Sequence, residues 1–190
     1  MSMVFIKKDI TEVTRGVVIH GCNAQGVMGS GAALAVKKRW PGAYMAYKRE
    51  FFEEGLEVGT NIWFQATENL FIVNAITQEN YGRPVELAYG NNKAVYANIQ
   101  AIEDCICEVF LAVNDTDLQR KIYIPKIGCG LGGLDWADDV EPVIRKLLGK
   151  PEFNDYTIWI CDLYQSNINT GQQIKKIRLN NVWTYKENSK

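Results

Sequence analysis

Half of the glycines in this chain sit in two short windows. Of 16 glycines, eight fall within residues 21–31 and 128–133, where the usual glycine frequency of roughly 7% would place about one. Each window follows a short β-rich run, Gly16-Val-Val-Ile-His20 or Lys121-Ile-Tyr-Ile-Pro125, and precedes a helical pattern. Ligands of open α/β sheets bind at the carboxyl ends of the strands. Glycines there let successive backbone N–H groups converge on an anion, aided by the N-terminus of the following helix. Two such turns point to an α/β fold and to a ligand with two phosphate-like groups, or one long ligand running between them. The plainer alternative is that each cluster makes a tight turn and nothing more.

The remaining pattern agrees with an α/β class. Residues 4–6 and 16–20 read as strands, the second apolar enough for a sheet covered on both faces. Residues 32–40 read as a helix with Lys37, Lys38 and Arg39 at its C-terminal end, stopped by Pro41. A second helical stretch covers 43–53, and 61–66 with 70–75 reads as a strand pair joined by a polar turn. The clearest helix is 92–113, where Val95, Ile99, Ile102, Ile106, Val109 and Val113 recur at alternating spacings of four and three. A strand at 121–125, a helix at 138–148 and a strand at 156–161 follow, and 174–183 is expected to add an edge strand. No repeat or linker divides the chain, so one three-layered domain with a mostly parallel or mixed sheet is expected.

Charge sharpens the ligand argument. Lys and Arg total 21 against 22 Asp and Glu, a formal net charge of −1. That balance argues against a general nucleic-acid or membrane-surface binder, which needs a cationic field. A near-neutral protein can still hold phosphates if backbone amides supply the positive potential. No apolar run spans a bilayer and the N-terminus turns charged too early for a signal peptide. Five cysteines without framework spacing, one histidine and no C-x-x-C read as reduced thiols in an intracellular, cytoplasmic protein without a zinc site. Known phosphate motifs are largely absent. There is no G-x-x-x-x-G-K-[ST], and no cysteine is followed by Arg at C-x₅-R spacing. The match Gly128-x-Gly130-x-x-Gly133 comes late in the chain and lacks a following acidic strand end.

Three segments carry a resemblance to a family. Lys8-Asp9-Ile10-Thr11-Glu12-Val13 resembles the G-D-I-T segment of the macrodomains, which bind ADP-ribose, with Lys8 in place of the glycine. His20-Gly-Cys-Asn-Ala-Gln-Gly-Val-Met-Gly-Ser-Gly-Ala-Ala33 resembles their Asn-containing loop around the distal ribose. Pro125-Lys-Ile-Gly-Cys-Gly-Leu-Gly-Gly-Leu-Asp-Trp136 resembles their diphosphate loop. The resemblance implies a three-layer α/β/α macrodomain sandwich with a mixed, largely parallel central sheet. Residues 1–190 would form the single domain, with 165–190 a C-terminal extension packed on it.

By the same resemblance, Asp9 accepts from the adenine amino group and the Ile10 N–H donates nearby, while Asn23 bonds the distal ribose. The amides of Gly29, Ser30, Gly31, Gly130, Leu131, Gly132 and Gly133 hold the diphosphate, and Asp162 or Tyr164 flanks the adenosine. The H-x-C-N opening and the second loop resemble the branch containing ADP-ribose 1″-phosphate phosphatases and ADP-ribosyl-glutamate hydrolases. The hydrolases use a Lys after the I-T pair and an Asp directly after G-C-G-L; here those positions are Gln78 and Gly132. His20 and Asp135 match positions thought catalytic in the phosphatases. A histidine can act as nucleophile, acid or base, and an aspartate can position water or orient the imidazole. Each also has a structural reading, His20 as a buried residue bonded to a loop carbonyl and Asp135 as a helix N-cap. Cys22 lies near His20 but shows no third orienting group in the sequence.

The expectation is therefore a metal-independent, cofactor-free phosphatase acting on a small molecule, ADP-ribose 1″-phosphate, through His20 and Asp135. It would be a monomer, without membrane association and without nucleic acid as its main ligand. The rivals are an ADP-ribosyl hydrolase acting on modified protein or nucleic acid, and a non-catalytic ADP-ribose-binding module.

Overall fold

A computed structural model describes residues 2–82, 95–114, 121–153, 155–163, 175–179 and 182–186. Its centre is a six-stranded sheet of β1 (Ser2–Ile6), β2 (Gly16–Asn23), β3 (Asn61–Thr67), β4 (Leu70–Gln78), β5 (Lys121–Pro125) and β6 (Thr157–Cys161). The strand order is β1-β6-β5-β2-β4-β3, and only β3 runs antiparallel, against β4. Among the described residues four α-helices cover the sheet: α1 (Gly31–Arg39), α2 (Pro41–Glu53), α3 (Ile99–Asn114) and α4 (Glu141–Leu148). A mixed, largely parallel sheet between helices is the expected α/β/α sandwich.

Alternation along the buried strands assigns the faces. Val17 and Ile19 of β2 pack with Ile122 and Ile124 of β5 and with Ile102, Ile106, Val109 and Ile144 of α3 and α4. Val18, pointing the other way, joins Ile72, Val36, Trp40 and Ala43 beneath α1 and α2. Because both faces are covered, β2 has no solvent side, and its polar residues must find partners inside the protein.

Several boundaries differ from the sequence reading. β2 continues to Asn23 and β4 to Gln78, through an irregularity at Cys22/Asn23. Pro41 does more than stop α1: it occupies the first turn of α2, where its missing N–H costs nothing. α3 starts at Ile99, not at 92, because Asn98 accepts through Oδ1 from the amides of Gln100 and Ala101 and so begins the helix. Before α4 the chain makes one wide turn, Trp136–Val140. The expected edge strand at 174–183 is instead a hairpin, β7 (Lys175–Leu179) pairing antiparallel with β8 (Val182–Lys186) and not with the main sheet. Among the described residues no helix is long and apolar enough to cross a membrane.

Candidate ligand-binding cleft

Where β2, β4, β5 and β6 end together, a cavity of about 700 Å³ opens between the two glycine-rich loops. In the first loop, Asn23 is the internal tie. Its Oδ1 accepts from the Gln25 and Val27 amides at 3.0 and 3.2 Å and from the Tyr47 hydroxyl at 3.1 Å. Its Nδ2 donates to the Val27 carbonyl at 2.7 Å. Asn23 lines the cavity, 7% exposed, but most of its hydrogen-bonding capacity shapes the loop. The loop delivers Gly29, Ser30 and Gly31 to the cavity wall and opens α1 there. The first intrahelical bond is Leu34 N–H to the Ser30 carbonyl, so the N–H groups of Gly31, Ala32 and Ala33 precede it. The Ser30 hydroxyl does not cap them. A helix start without a side-chain cap presents N–H groups and a positive dipole end suited to an anion.

The second loop complements it. The amides of Cys129, Gly133 and Leu134 are engaged by the carbonyls of Lys126, Gly130 and Gly128. Between them Gly130, Leu131 and Gly132 line the cavity with amides that have no acceptor among the described residues. Gly133, expected among the diphosphate donors, is not among the lining residues, and its N–H donates to the Gly130 carbonyl at 3.2 Å. The fold of this loop depends on glycine at two positions. Gly128 has φ +76°, and a Cβ at Gly132 would lie 2.5 Å from the Gly128 carbonyl oxygen and 2.8 Å from Ala97 Cβ.

Charge on the wall is limited to one pair. Lys126 Nζ lies 2.6 Å from Asp162 Oδ2, and the other described lining residues are uncharged. Among the described residues, backbone N–H groups are the other source of positive potential on this wall.

His20 and Asp135 do not line the cavity. His20 is fully buried beneath α2, with Nε2 2.8 Å from Asn74 Oδ1, while Asn74 Nδ2 donates to the Ala43 carbonyl at 3.0 Å. Burial holds the imidazole pKa down to about 4, against the raising effects of the Asn74 and Gly21 hydrogen bonds. Asn74 is the orienting group the sequence did not reveal for a Cys22–His20 pair. Yet the Cys22 sulfur lies 3.7 and 4.0 Å from the two ring nitrogens. Both distances are long, so the thiol is only weakly engaged by the imidazole. Burial also pushes the thiol pKa well up, so the resting pair is neutral. Asp135 caps the wide turn before α4: its Oδ1 accepts from the Ala137 and Asp138 amides at 2.8 and 3.1 Å. Asp9 acts likewise on the short turn Ile10–Glu12, accepting from Thr11 N–H and Oγ1 at 2.9 and 2.8 Å. Ile10 is buried in the core under α1, and neither residue reaches the cavity wall.

Comparison with known proteins places this architecture. The family model described as "Macro domain" matches residues 19–144. The chain belongs to the Macro domain family. This macrodomain is 24% identical over 138 residues to the DNA ADP-ribosyl glycohydrolase of Thermus aquaticus, covering 70% of this chain and 34% of that protein. The chain thus spans about a third of the length of that relative. It is 22% identical over 143 residues to the ADP-ribose 1″-phosphate phosphatase of Candida albicans, covering 75% of this chain and 87% of that protein. Among solved structures it resembles Thermosipho africanus DarTG in complex with ADP-ribose, with a TM-score of 0.67 and 18% identity. That match covers 87% of this chain and 43% of the other and shows the fold.

Within this macrodomain the two hydrolase positions have a physical description. Gln78 lines the cavity and donates from Nε2 to the Asn80 carbonyl at 2.7 Å, an amide where the hydrolases need a cationic amine. Gly132 lacks a carboxylate, and it lacks room for one. Neighbouring Thr77 has a buried hydroxyl without a hydrogen-bond partner among the described residues. It fills the space a side chain at Gly21 would take, 2.8 Å from that Cβ position.

Lys126, Thr77 and Tyr81 on the cavity wall were not singled out from the sequence. Position offered the signal: Thr77 lies at the end of β4, Lys126 follows β5 directly and Tyr81 comes shortly after β4, where α/β sheets present ligand groups. Asp162, named as an adenosine neighbour, is on the wall, whereas Tyr164 lies outside the described residues.

Proposed function

We propose that this macrodomain binds ADP-ribose derivatives along the cleft and hydrolyses the terminal phosphate of ADP-ribose 1″-phosphate, without a metal ion, to give ADP-ribose. The observation that supports it best is that two sets of amides without an acceptor among the described residues, Gly31–Ala33 and Gly130–Gly132, belong to residues lining one cavity. The diphosphate lies between them. The adenosine extends toward β6, next to the turn bearing Asp9 and Ile10, and the distal ribose with its phosphate toward Thr77, Gln78 and Tyr81. Water attacks the terminal phosphorus, the P–O bond to the ribose breaks, a proton from the water passes to the departing ribose oxygen to give the 1″-hydroxyl, and inorganic phosphate leaves. Such a step needs chiefly positioning and stabilisation of charge on the phosphoryl oxygens, which fixed amides provide.

His20 and Asp135 enter this mechanism as positioning residues. His20 joins β2 to β4 directly beneath Cys22 and Gly21 on the cleft wall, and Asp135 closes the far end of the second loop. The ADP-ribosyl-glutamate type of hydrolysis is disfavoured by Gln78 and by the filled space at Gly132. Removal of ADP-ribose from DNA, the activity named for the Thermus aquaticus relative, remains the second reading because that relative matches most of this chain.

The test is phosphate release from ADP-ribose 1″-phosphate by the full chain, with His20→Ala, Asp135→Asn and ADP-ribosylated single-stranded DNA as comparisons. Turnover of the phosphate ester, reduced in His20→Ala, supports the reading. Release of ADP-ribose from DNA without phosphate release replaces it with the second. Tight ADP-ribose binding with no turnover of either reduces it to a binding module.

A further inference from the structure

Charge along the chain is uneven. Residues 165–190 carry five Lys or Arg against one Glu, a net charge of +4, while residues 1–164 carry −5. No Asp or Glu occurs from 163 to 186. The overall balance therefore conceals a basic segment, and asymmetry of this kind points to an anionic partner for the basic part.

The hairpin arranges four of these cations. Among the described residues β7 and β8 pair only with each other, with Lys176 opposite Tyr185, Arg178 opposite Trp183 and Ile177 opposite Thr184. Directly opposed residues share a face of the ribbon, and faces alternate along each strand. One face therefore holds Lys176, Arg178, Trp183 and Tyr185, two cations on one strand beside two aromatics on the other. The aliphatic Ile177, Leu179 and Val182 take the second face, where Lys175 stands opposite Lys186. Like charges directly opposed are destabilising, and a two-stranded ribbon is marginal by itself. A bound polyanion relieves that repulsion.

The spacing suits bases. Trp183 and Tyr185 are two positions apart on β8, about 6.8 Å along a strand, close to the length of one nucleotide in an extended chain. Stacking on aromatics needs bases with a free face, which a single strand offers and a duplex does not. Lys176 and Arg178 repeat at the same spacing on β7, fit for successive phosphates. A lipid surface is met by aromatic and aliphatic residues gathered on one face with cations around it; here the aliphatics lie on the other face.

We propose that the β7–β8 hairpin binds single-stranded nucleic acid, with bases stacked on Trp183 and Tyr185 and phosphates held by Lys176 and Arg178. The chain thereby has a second class of ligand besides the small molecule of the cleft. Neither the charge distribution nor the hairpin register depends on what the cleft binds.

The experiment is fluorescence anisotropy of a labelled oligothymidylate of about 12 nucleotides, within the span of one small single-strand-binding module, titrated with the full chain at low salt. Wild type should bind it, and more tightly than a duplex of the same length. Trp183→Leu and Tyr185→Leu keep an apolar side chain but no ring, and each should weaken binding by about tenfold. Trp183→Phe should restore most of it, which a merely structural role of the tryptophan in the hairpin would not separate from Trp183→Leu. Lys176→Gln combined with Arg178→Gln should lower the slope of log affinity against log salt by about 1.4, the value for two phosphates of a single strand. Failure of wild type to bind the oligonucleotide overturns the proposal. So does binding unchanged in both Leu variants, which leaves only a general cationic patch, and so does preference for the duplex. Binding to vesicles of phosphatidylcholine and phosphatidylserine without binding to the oligonucleotide replaces it with a membrane contact. Displacement of the oligonucleotide by excess ADP-ribose assigns it to the cleft and also overturns the proposal.

Discussion

The His20 imidazole donates through Nε2 to Asn74 Oδ1 at 2.8 Å, joining two adjacent parallel strands at residues that face each other in register. Asn74 Nδ2 is occupied by the Ala43 carbonyl, so Oδ1 faces the ring and Nε2 carries the proton. One chain of two hydrogen bonds thereby connects β2, β4 and α2 beneath the cleft. Replacing Asn74 with Leu leaves a buried N–H unpaired and is expected to cost about 1–3 kcal/mol. Chemical denaturation measures it, and a loss below about 0.5 kcal/mol would show the link to be dispensable.

The same burial makes stability depend on pH. The His20 pKa falls from its ordinary 6.5 to about 4 in the folded protein, so the unfolded chain binds the extra proton between these values. Stability is full above pH 6.5 and declines as pH falls toward 4, by on the order of 3 kcal/mol from this group. Urea titrations at pH 7.5, 6.5 and 5.5 should show the decline, and His20→Gln should flatten it. Parallel pH curves for the two proteins would exclude His20 as the cause.

Loop geometry predicts a contrast between neighbouring glycines. A Cβ at Gly132 collides with the Gly128 carbonyl, whereas one at Gly130 meets nothing within 4 Å. Gly132→Ala should therefore distort the second loop and weaken ADP-ribose binding by about tenfold or more. Gly130→Ala should bind nearly as wild type. Gly132→Asp, made to imitate the hydrolases, should fail to install their activity on ADP-ribosylated glutamate.

Asp135 offers a way to separate capping from chemistry. Asn accepts the same two amide hydrogens, so Asp135→Asn should keep most stability and turnover. Asp135→Ala should lose about 1 kcal/mol of stability together with turnover. A collapse of turnover in the stable Asn variant would instead assign the carboxylate a direct catalytic part.

Amide-held phosphates imply modest salt sensitivity. Fixed dipoles act at contact distance, while mobile surface charges are screened over about 8–10 Å at moderate ionic strength. ADP-ribose affinity should change by less than about fivefold between about 50 and 500 mM sodium chloride. A steep loss would show that a cationic field does the binding.

Much of the framework was legible in the chain itself. The strand and helix periods, the glycine windows and the charge balance led to an α/β sheet and to amides as the anion-binding groups. Those features are local, written in spacing and in backbone freedom. Boundaries moved where a polar side chain chose the terminus: Asn98 starts α3 by accepting from its first turn, which hydrophobic spacing alone could not report.

The division between the two kinds of information is sharpest at the cleft. Sequence by itself determined that two glycine-rich loops follow apolar strand patterns, and that neither lysine nor aspartate stands at the hydrolase positions. Only the tertiary structure decided what the lone histidine does: a polar residue on a strand covered on both faces must find a partner inside, and Asn74, 54 positions away, supplies it. Likewise Lys126 and Asp162 become one pair only because β5 and β6 run parallel and end together. Spacing along a chain predicts which groups are free locally. Which of them meet depends on strand order, and strand order is a property of the packed sheet.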